Sequence, residues 1–143
     1  LRSVVWRSRL FLQVLALALA SCSSSETVEQ QSKLAASTGK AAVLVTDAWL
    51  SDAAPSHYAS AALQSFAETI ADAGRRVKSA SPSNPANRDR LKAAVSRLSN
   101  AARRAKSAVE AAEHAQASQA RDELSAAQAD LATAYRDYFA PQR

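Results

Sequence analysis

The chain has 143 residues, a formal net charge of +5 and a mean hydropathy of −0.22, a size and balance that suit one small domain. Alanine supplies about a quarter of the residues, whereas glycine occurs twice and proline four times. This composition favours helix and excludes an extensive sheet, because β-branched and aromatic side chains are too sparse for strands. One cysteine excludes an intrachain disulfide and a multi-cysteine metal site.

The first segment reads LRSVVWRSRLFLQVLALALASC. Arg2, Arg7 and Arg9 make its start positive, and no acidic residue precedes Cys22. Leu10 to Ala20 is an apolar run of about eleven residues broken only by Gln13; it fits the core of a secretory signal and is too short to span a bilayer. The run ends Leu19-Ala20-Ser21-Cys22. This quartet resembles the lipobox of bacterial lipoproteins, in which an aliphatic residue and two small residues precede the cysteine. The small side chains let the backbone enter a peptidase cleft, and the thiol supplies the atom that takes a diacylglyceryl group. The resemblance implies that residues 1–21 are an export signal, that cleavage frees the amine of Cys22, and that this amine is acylated too, with palmitate or a similar chain. Each buried CH₂ contributes roughly 0.8 kcal/mol to such an anchor. The implied place is the bacterial cell envelope, outside the cytoplasm, on the outer or inner membrane and facing the periplasm in a Gram-negative cell.

Without Arg2, Arg7 and Arg9, 15 basic residues face 13 acidic ones, so the net charge from Cys22 onward is only +2. Residues 22–26 read as a lipidated tether and residues 27–140 as a single helical domain. Its first helix is expected from about Glu26 to Ser51, with Val28, Leu34, Val45 and Trp49 facing inward and a break or kink at Ser37-Thr38-Gly39. Pro55 punctuates the chain and suits the first turn of the next helix. That second helix is expected over Ser56 to Ser79, where Ala59, Leu63, Phe66, Ile70, Ala73, Val77 and Ala80 recur at alternating spacings of four and three. Ser81-Pro82-Ser83-Asn84-Pro85 is a loop, with Asn84 as N-cap and Pro85 at the first helical position.

Leu91, Val95, Leu98, Ala102, Ala105, Val109 and Ala112 continue the same rhythm, and Ala120, Leu124, Ala127, Leu131, Ala134 and Tyr138 repeat it in a shifted register. The shift is either a stutter in one helix of about fifty residues or a turn near 114–118 that Ser118 would cap. No glycine or proline marks a turn there, which favours the continuous helix. The expected fold is all-α: an antiparallel helical bundle or coiled-coil-like hairpin of three long helices, or of four if the chain turns.

Charge is segregated along this domain. Residues 22–74 sum to −4, residues 75–106 to +9 and residues 107–143 to −3. Cations at Arg75, Arg76 and Lys78 suit a helix C-terminus, but Arg88, Arg90 and Lys92 oppose the dipole at a helix N-terminus. Arg90, Arg97 and Arg104 fall seven apart in one stripe. The bland reading is a solvated face paired with acids of the first and last helices. The functional one is a patch of Arg75, Arg76, Lys78, Arg88, Arg90, Lys92, Arg97 and Arg104 for an anionic envelope partner, such as lipid head groups, lipopolysaccharide phosphates or peptidoglycan carboxylates. If the first helix leaves the membrane and the second returns, the loop after it lies at the anchored end, where each cation adds roughly 1 kcal/mol at an anionic surface. Nucleic acid is not expected, since no reader motif occurs.

No constellation for catalysis emerges. His57 and His114 are the only histidines, and the paired Glu-x-x-His pattern of di-iron bundles is absent, although Glu110 precedes His114 by four. Bundle haem of the b type would want His plus Met or a second suitably placed His, and covalent haem a CxxCH; methionine is missing and no CxxCH occurs. Thr38-Gly39-Lys40 lacks the upstream glycine and strand of a phosphate loop. Trp49, Tyr58, Tyr135, Tyr138 and Phe139 are expected to form one aromatic end cluster. The expected role is therefore non-enzymatic and free of metal or cofactor: a lipid-anchored envelope protein that contacts a polymer, lipid head groups, a protein or a second copy of itself. The alternative is a bundle that binds a small ligand or metal. Small helical murein lipoproteins are a loose analogy through Cys22-Ser23-Ser24 and the heptads. The chain departs from them in length and in ending Pro141-Gln142-Arg143, so attachment through a terminal lysine is not expected.

Overall fold

The computed structural model describes the backbone of residues 2–80 and 84–140, and side chains from Ser25 onward within those ranges. The side chains of Leu19, Ala20, Ser21 and Cys22, and the Ser81-Pro82-Ser83 loop, lie outside the described residues. Four helices follow in order: α1 (Arg2–Leu50), α2 (Ser56–Ser79), α3 (Pro85–Glu110) and α4 (His114–Phe139). They form an all-helical bundle in which α1–α2, α2–α3, α3–α4 and α4–α1 pack as neighbours. Across the middle α1 meets α3, while α2 and α4 do not touch.

The inward seam of α1 is Val28, Ser32, Ala35, Gly39, Ala42, Thr46 and Trp49, again at spacings of four and three. Five of the seven are small, so the backbone of α1 comes close to its neighbours. The tightest point is Gly39: a Cβ there would sit 2.8 Å from a Leu98 methyl and 2.5 Å from Gln128 Nε2. Gln128 also donates through Nε2 to the Ala36 carbonyl at 2.9 Å. Gly39 is therefore a packing glycine inside an unbroken helix, and no break occurs at Ser37-Thr38-Gly39. Leu34, expected inside, is 42 % exposed, and Val45 is only half-buried, because the small residues and not the large ones face the core.

The second helix has the bounds expected of it, although Pro55 sits just before its first turn and Ala67, not Phe66, fills the buried position. Asn84 caps α3 by accepting from the Asn87 N–H at 3.2 Å, with Pro85 following it. α3 contacts every other helix, and beyond its heptad series it also buries Ala94, Ser99, Ala101 and Ala108. Ser99 donates to the Ala67 carbonyl at 3.0 Å, which satisfies a hydroxyl enclosed between α2 and α3.

The chain turns at Ala111-Ala112-Glu113, so the long third helix is instead two helices. Ser118 lies within α4 and caps nothing. Ala112 is left-handed at φ 55°; its N–H donates to the Val109 carbonyl at 3.1 Å, and the Glu113 N–H donates to the Ala108 carbonyl at 2.9 Å. That pair of bonds is a Schellman motif without glycine. The end of α1 repeats it, with Asp52 at φ 60° and donations from Asp52 to Trp49 and from Ala53 to Ala48. Both turns lie at the same end of the bundle, where Trp49 stacks on His114 at 4.5 Å and donates to Ser56 Oγ at 2.9 Å. The aromatic residues divide between the ends: Tyr135, Tyr138 and Phe139 cluster at the opposite one, and Tyr58 is exposed.

Two substitutions test this account. Ala112→Gly is expected to raise stability by about 0.5–1 kcal/mol, since glycine relieves the left-handed strain against some lost chain entropy; a urea midpoint that falls would overturn it. Gly39→Ala is expected to lower stability by about 1 kcal/mol, because overpacking against Leu98 outweighs the helix propensity gained. An unchanged or raised thermal midpoint would show that Leu98 and Gln128 yield without cost.

Candidate functional site

Arg76 apart, the fold sorts the cations of the expected patch into two sets. Arg97 Nη1 lies 2.8 Å from Asp130, and Arg104 Nε lies 3.0 Å from Glu123. Arg90 shares the α3/α4 groove with Arg97, Asp130 and Asp137. Antiparallel packing thus sets the stripe 90, 97, 104 against an acidic stripe 137, 130, 123 with the same spacing of seven. Arg97 and Arg104 are consequently interhelical partners and not free members of an anion patch. Each such exposed pair contributes little stability, about 0–1 kcal/mol, but opposite stripes favour this register over others. Arg88 pairs with its neighbour Asp89 at 3.1 Å.

The second set faces the other way. Arg75 and Lys78 of α2 and Lys92 of α3 line a cleft of about 260 Å³, joined by Arg103, which the sequence reading did not single out. Arg103 lies eleven residues after Lys92, three helical turns along the same face, and that spacing is the signal by which it could have been found. Gly74 and Val95 form the apolar floor: a Cβ on Gly74 would press to 3.2 Å from Val95, so the glycine keeps the cleft open. Arg75 reaches Asp72 at 3.2 Å and Arg103 donates to Asn100 at 3.4 Å, while Lys78 and Lys92 meet no carboxylate among the described residues. Arg76 turns away from the cleft to Asp72, at 3.0 Å. This contact, together with Arg75, holds the Asp72 carboxyl below the usual carboxylate range.

The remaining ion pairs are structural. Arg121 of α4 donates to Asp47 of α1 through Nε at 2.9 Å and Nη2 at 3.4 Å, which clamps these helices near the two Schellman turns. Asp47 and Asp122 hold the Arg121 guanidinium more firmly protonated than usual. Among the described residues no three His, Cys, Asp or Glu side chains gather as metal ligands, and no helix is long and apolar enough to cross a membrane. Comparison with known proteins finds no match among family models, curated proteins or solved structures.

The Asp72 contact is checked by NMR titration. In Arg76→Ala the carboxyl is expected to titrate higher, back toward its ordinary range. Because the folded value is the lower one, stability from this contact is present above the ordinary carboxylate range and is lost as pH falls through the lowered value. An Asp72 titration that does not move would separate its shift from Arg76.

Proposed function

We propose that this chain is a lipid-anchored, non-enzymatic protein of the bacterial cell envelope that presents the α2/α3 basic cleft to an anionic partner. The carrying observation is the convergence of Arg75, Lys78, Lys92 and Arg103 from two helices on one concavity, two of them without a neutralising carboxylate among the described residues. Cations left unpaired beside one another attract anions of the surroundings, above all at a charged membrane or polymer. Leu19-Ala20-Ser21-Cys22 supplies the reading of where this happens, through its resemblance to a lipobox.

The antiparallel order supports the same picture. The cleft lies toward the end of α2 and beside the middle of α3, with Lys78 and Lys92 on its side nearer the end of the bundle at which α1 enters it. A lipid on Cys22 would hold that end near the envelope surface. Cations there act within a Debye length of anionic groups, where each adds roughly 1 kcal/mol.

The test is carried out in the native envelope. Labelled palmitate is expected to enter the wild-type chain and not Cys22→Ala. Crosslinking of the labelled protein is expected to capture one stoichiometric anionic partner, with capture reduced at least about tenfold in Lys78→Glu/Lys92→Glu. Absence of label would remove the anchor, and capture indifferent to the double reversal would remove the cleft.

A further inference from the structure

A larger concavity lies on the opposite side of the bundle, between α1 and α4, with a volume of about 630 Å³. It exists because the facing positions are small. Above it Arg121 clamps Asp47, and at its upper edge Gln128 is tied to the Ala36 carbonyl. Below those ties Ala36, Ala129 and Ala132 leave unfilled the space that leucines would occupy in a closed seam. Leu131 and the ring side of Tyr135 complete an apolar floor.

The charged groups around this floor are all of one sign. Lys33, Lys40 and Arg136 form the rim, and no carboxylate lines the groove. Lys33 pairs with Glu29 on its own helix at 2.6 Å, Arg136 donates to Thr133 Oγ1 at 3.3 Å, and Lys40 has no partner among the described residues. At the lower end of the floor lies Ser32, only 2 % exposed, whose hydroxyl has no hydrogen-bond partner. An enclosed hydroxyl without a partner calls for an explanation, since nearly all such groups in folded proteins are satisfied. Thr46, the other fully buried hydroxyl among the described residues of α1, differs in this respect: it donates to the Ala42 carbonyl at 2.8 Å.

We infer that the α1/α4 groove is a binding site for an anionic amphiphile, a medium-chain fatty carboxylate. Its head lies at the lower end, where Arg136 supplies the charge and the carboxylate supplies the acceptor that Ser32 lacks. Its chain runs over Ala36, Ala132 and Leu131 toward Lys40, whose alkyl stem can cover its far end. Ser32 and Lys40 are separated by eight residues of helix, roughly 12 Å, which sets a medium chain length and leaves longer chains overhanging. The volume is that of a small-molecule site, with an apolar lining and a few convergent polar groups. The α3/α4 groove, of similar size, does not fit this ligand: Asp89, Asp130 and Asp137 line it and would repel a carboxylate.

The full chain in zwitterionic nanodiscs, photolabelled with a diazirine analogue of decanoate and mapped by mass spectrometry, tests the assignment. Label is expected on Leu131–Arg136 and on the facing turns of α1. Unmodified decanoate is expected to compete at least tenfold better than decanol or decyltrimethylammonium, whose heads are neutral or cationic. Ala132→Trp, at an exposed position that leaves the core untouched, is expected to abolish labelling. Ser32→Ala and Arg136→Glu are each expected to weaken it several-fold, with helical circular dichroism unchanged. Label spread over the surface, equal competition by the three heads, or labelling of Ala132→Trp at the wild-type level would each overturn the site.

Discussion

The closeness with which α1 can approach its neighbours governs this bundle. At Gly39 the backbone of α1 presses on Leu98 of α3 and Gln128 of α4, with room for a hydrogen atom and none for a methyl group. Ala35 and Ala42 continue that approach on either side. Close approach across the α1/α3 diagonal draws those two helices together and holds α2 and α4 apart, which gives the bundle a rhombic cross-section. The core is correspondingly thin, and apart from Trp49 its larger side chains come from α2, α3 and α4. Small residues substitute many short contacts for a few bulky ones, so stability depends on shape more than on apolar area.

That economy explains what could be read in advance and what could not. α2, Asn84 and Pro85 carry local signals: a regular series of large apolar residues, and a cap followed by proline. They are legible because the cause of each lies within a few residues of its effect. The seam of α1 is hidden in the sequence because Leu34 and Leu44 lie outside it, while Ser32, Gly39 and Thr46 lie in. The turn at Ala112 was obscured because alanine occupies a left-handed position where glycine would ordinarily announce it. The shifted register between Val109 and Ala120 was the visible trace of that turn, and it was ambiguous without the backbone.

The basic stretch followed the same logic one level up. Its charge was plain in the sequence, but the division between neutralised and free cations depends on which helix lies alongside. Once α4 folds back, Glu123 and Asp130 meet Arg104 and Arg97 and remove them from the surface available to a partner. Arg75, Lys78 and Lys92 face a cleft with no such acidic stripe and recruit Arg103. Neither the basic cleft nor the α1/α4 groove has a short motif, because each is assembled from residues on two helices.

The order in which the helices join carries a kinetic consequence. α2, α3 and α4 follow one another through short turns, so their mutual contacts close small loops. The ties between α1 and α4 link residues 74 and 92 positions apart, Asp47 to Arg121 and Ala36 to Gln128. Such long-range closure costs the most chain entropy and comes late in assembly. The α2–α3–α4 ladder does not depend on that joint, since its contacts are made without α1. The groove floored by Ala36 and Leu131 lies along that joint. Entry of a guest between α1 and α4 would then follow the native breathing of the bundle and need no separate door.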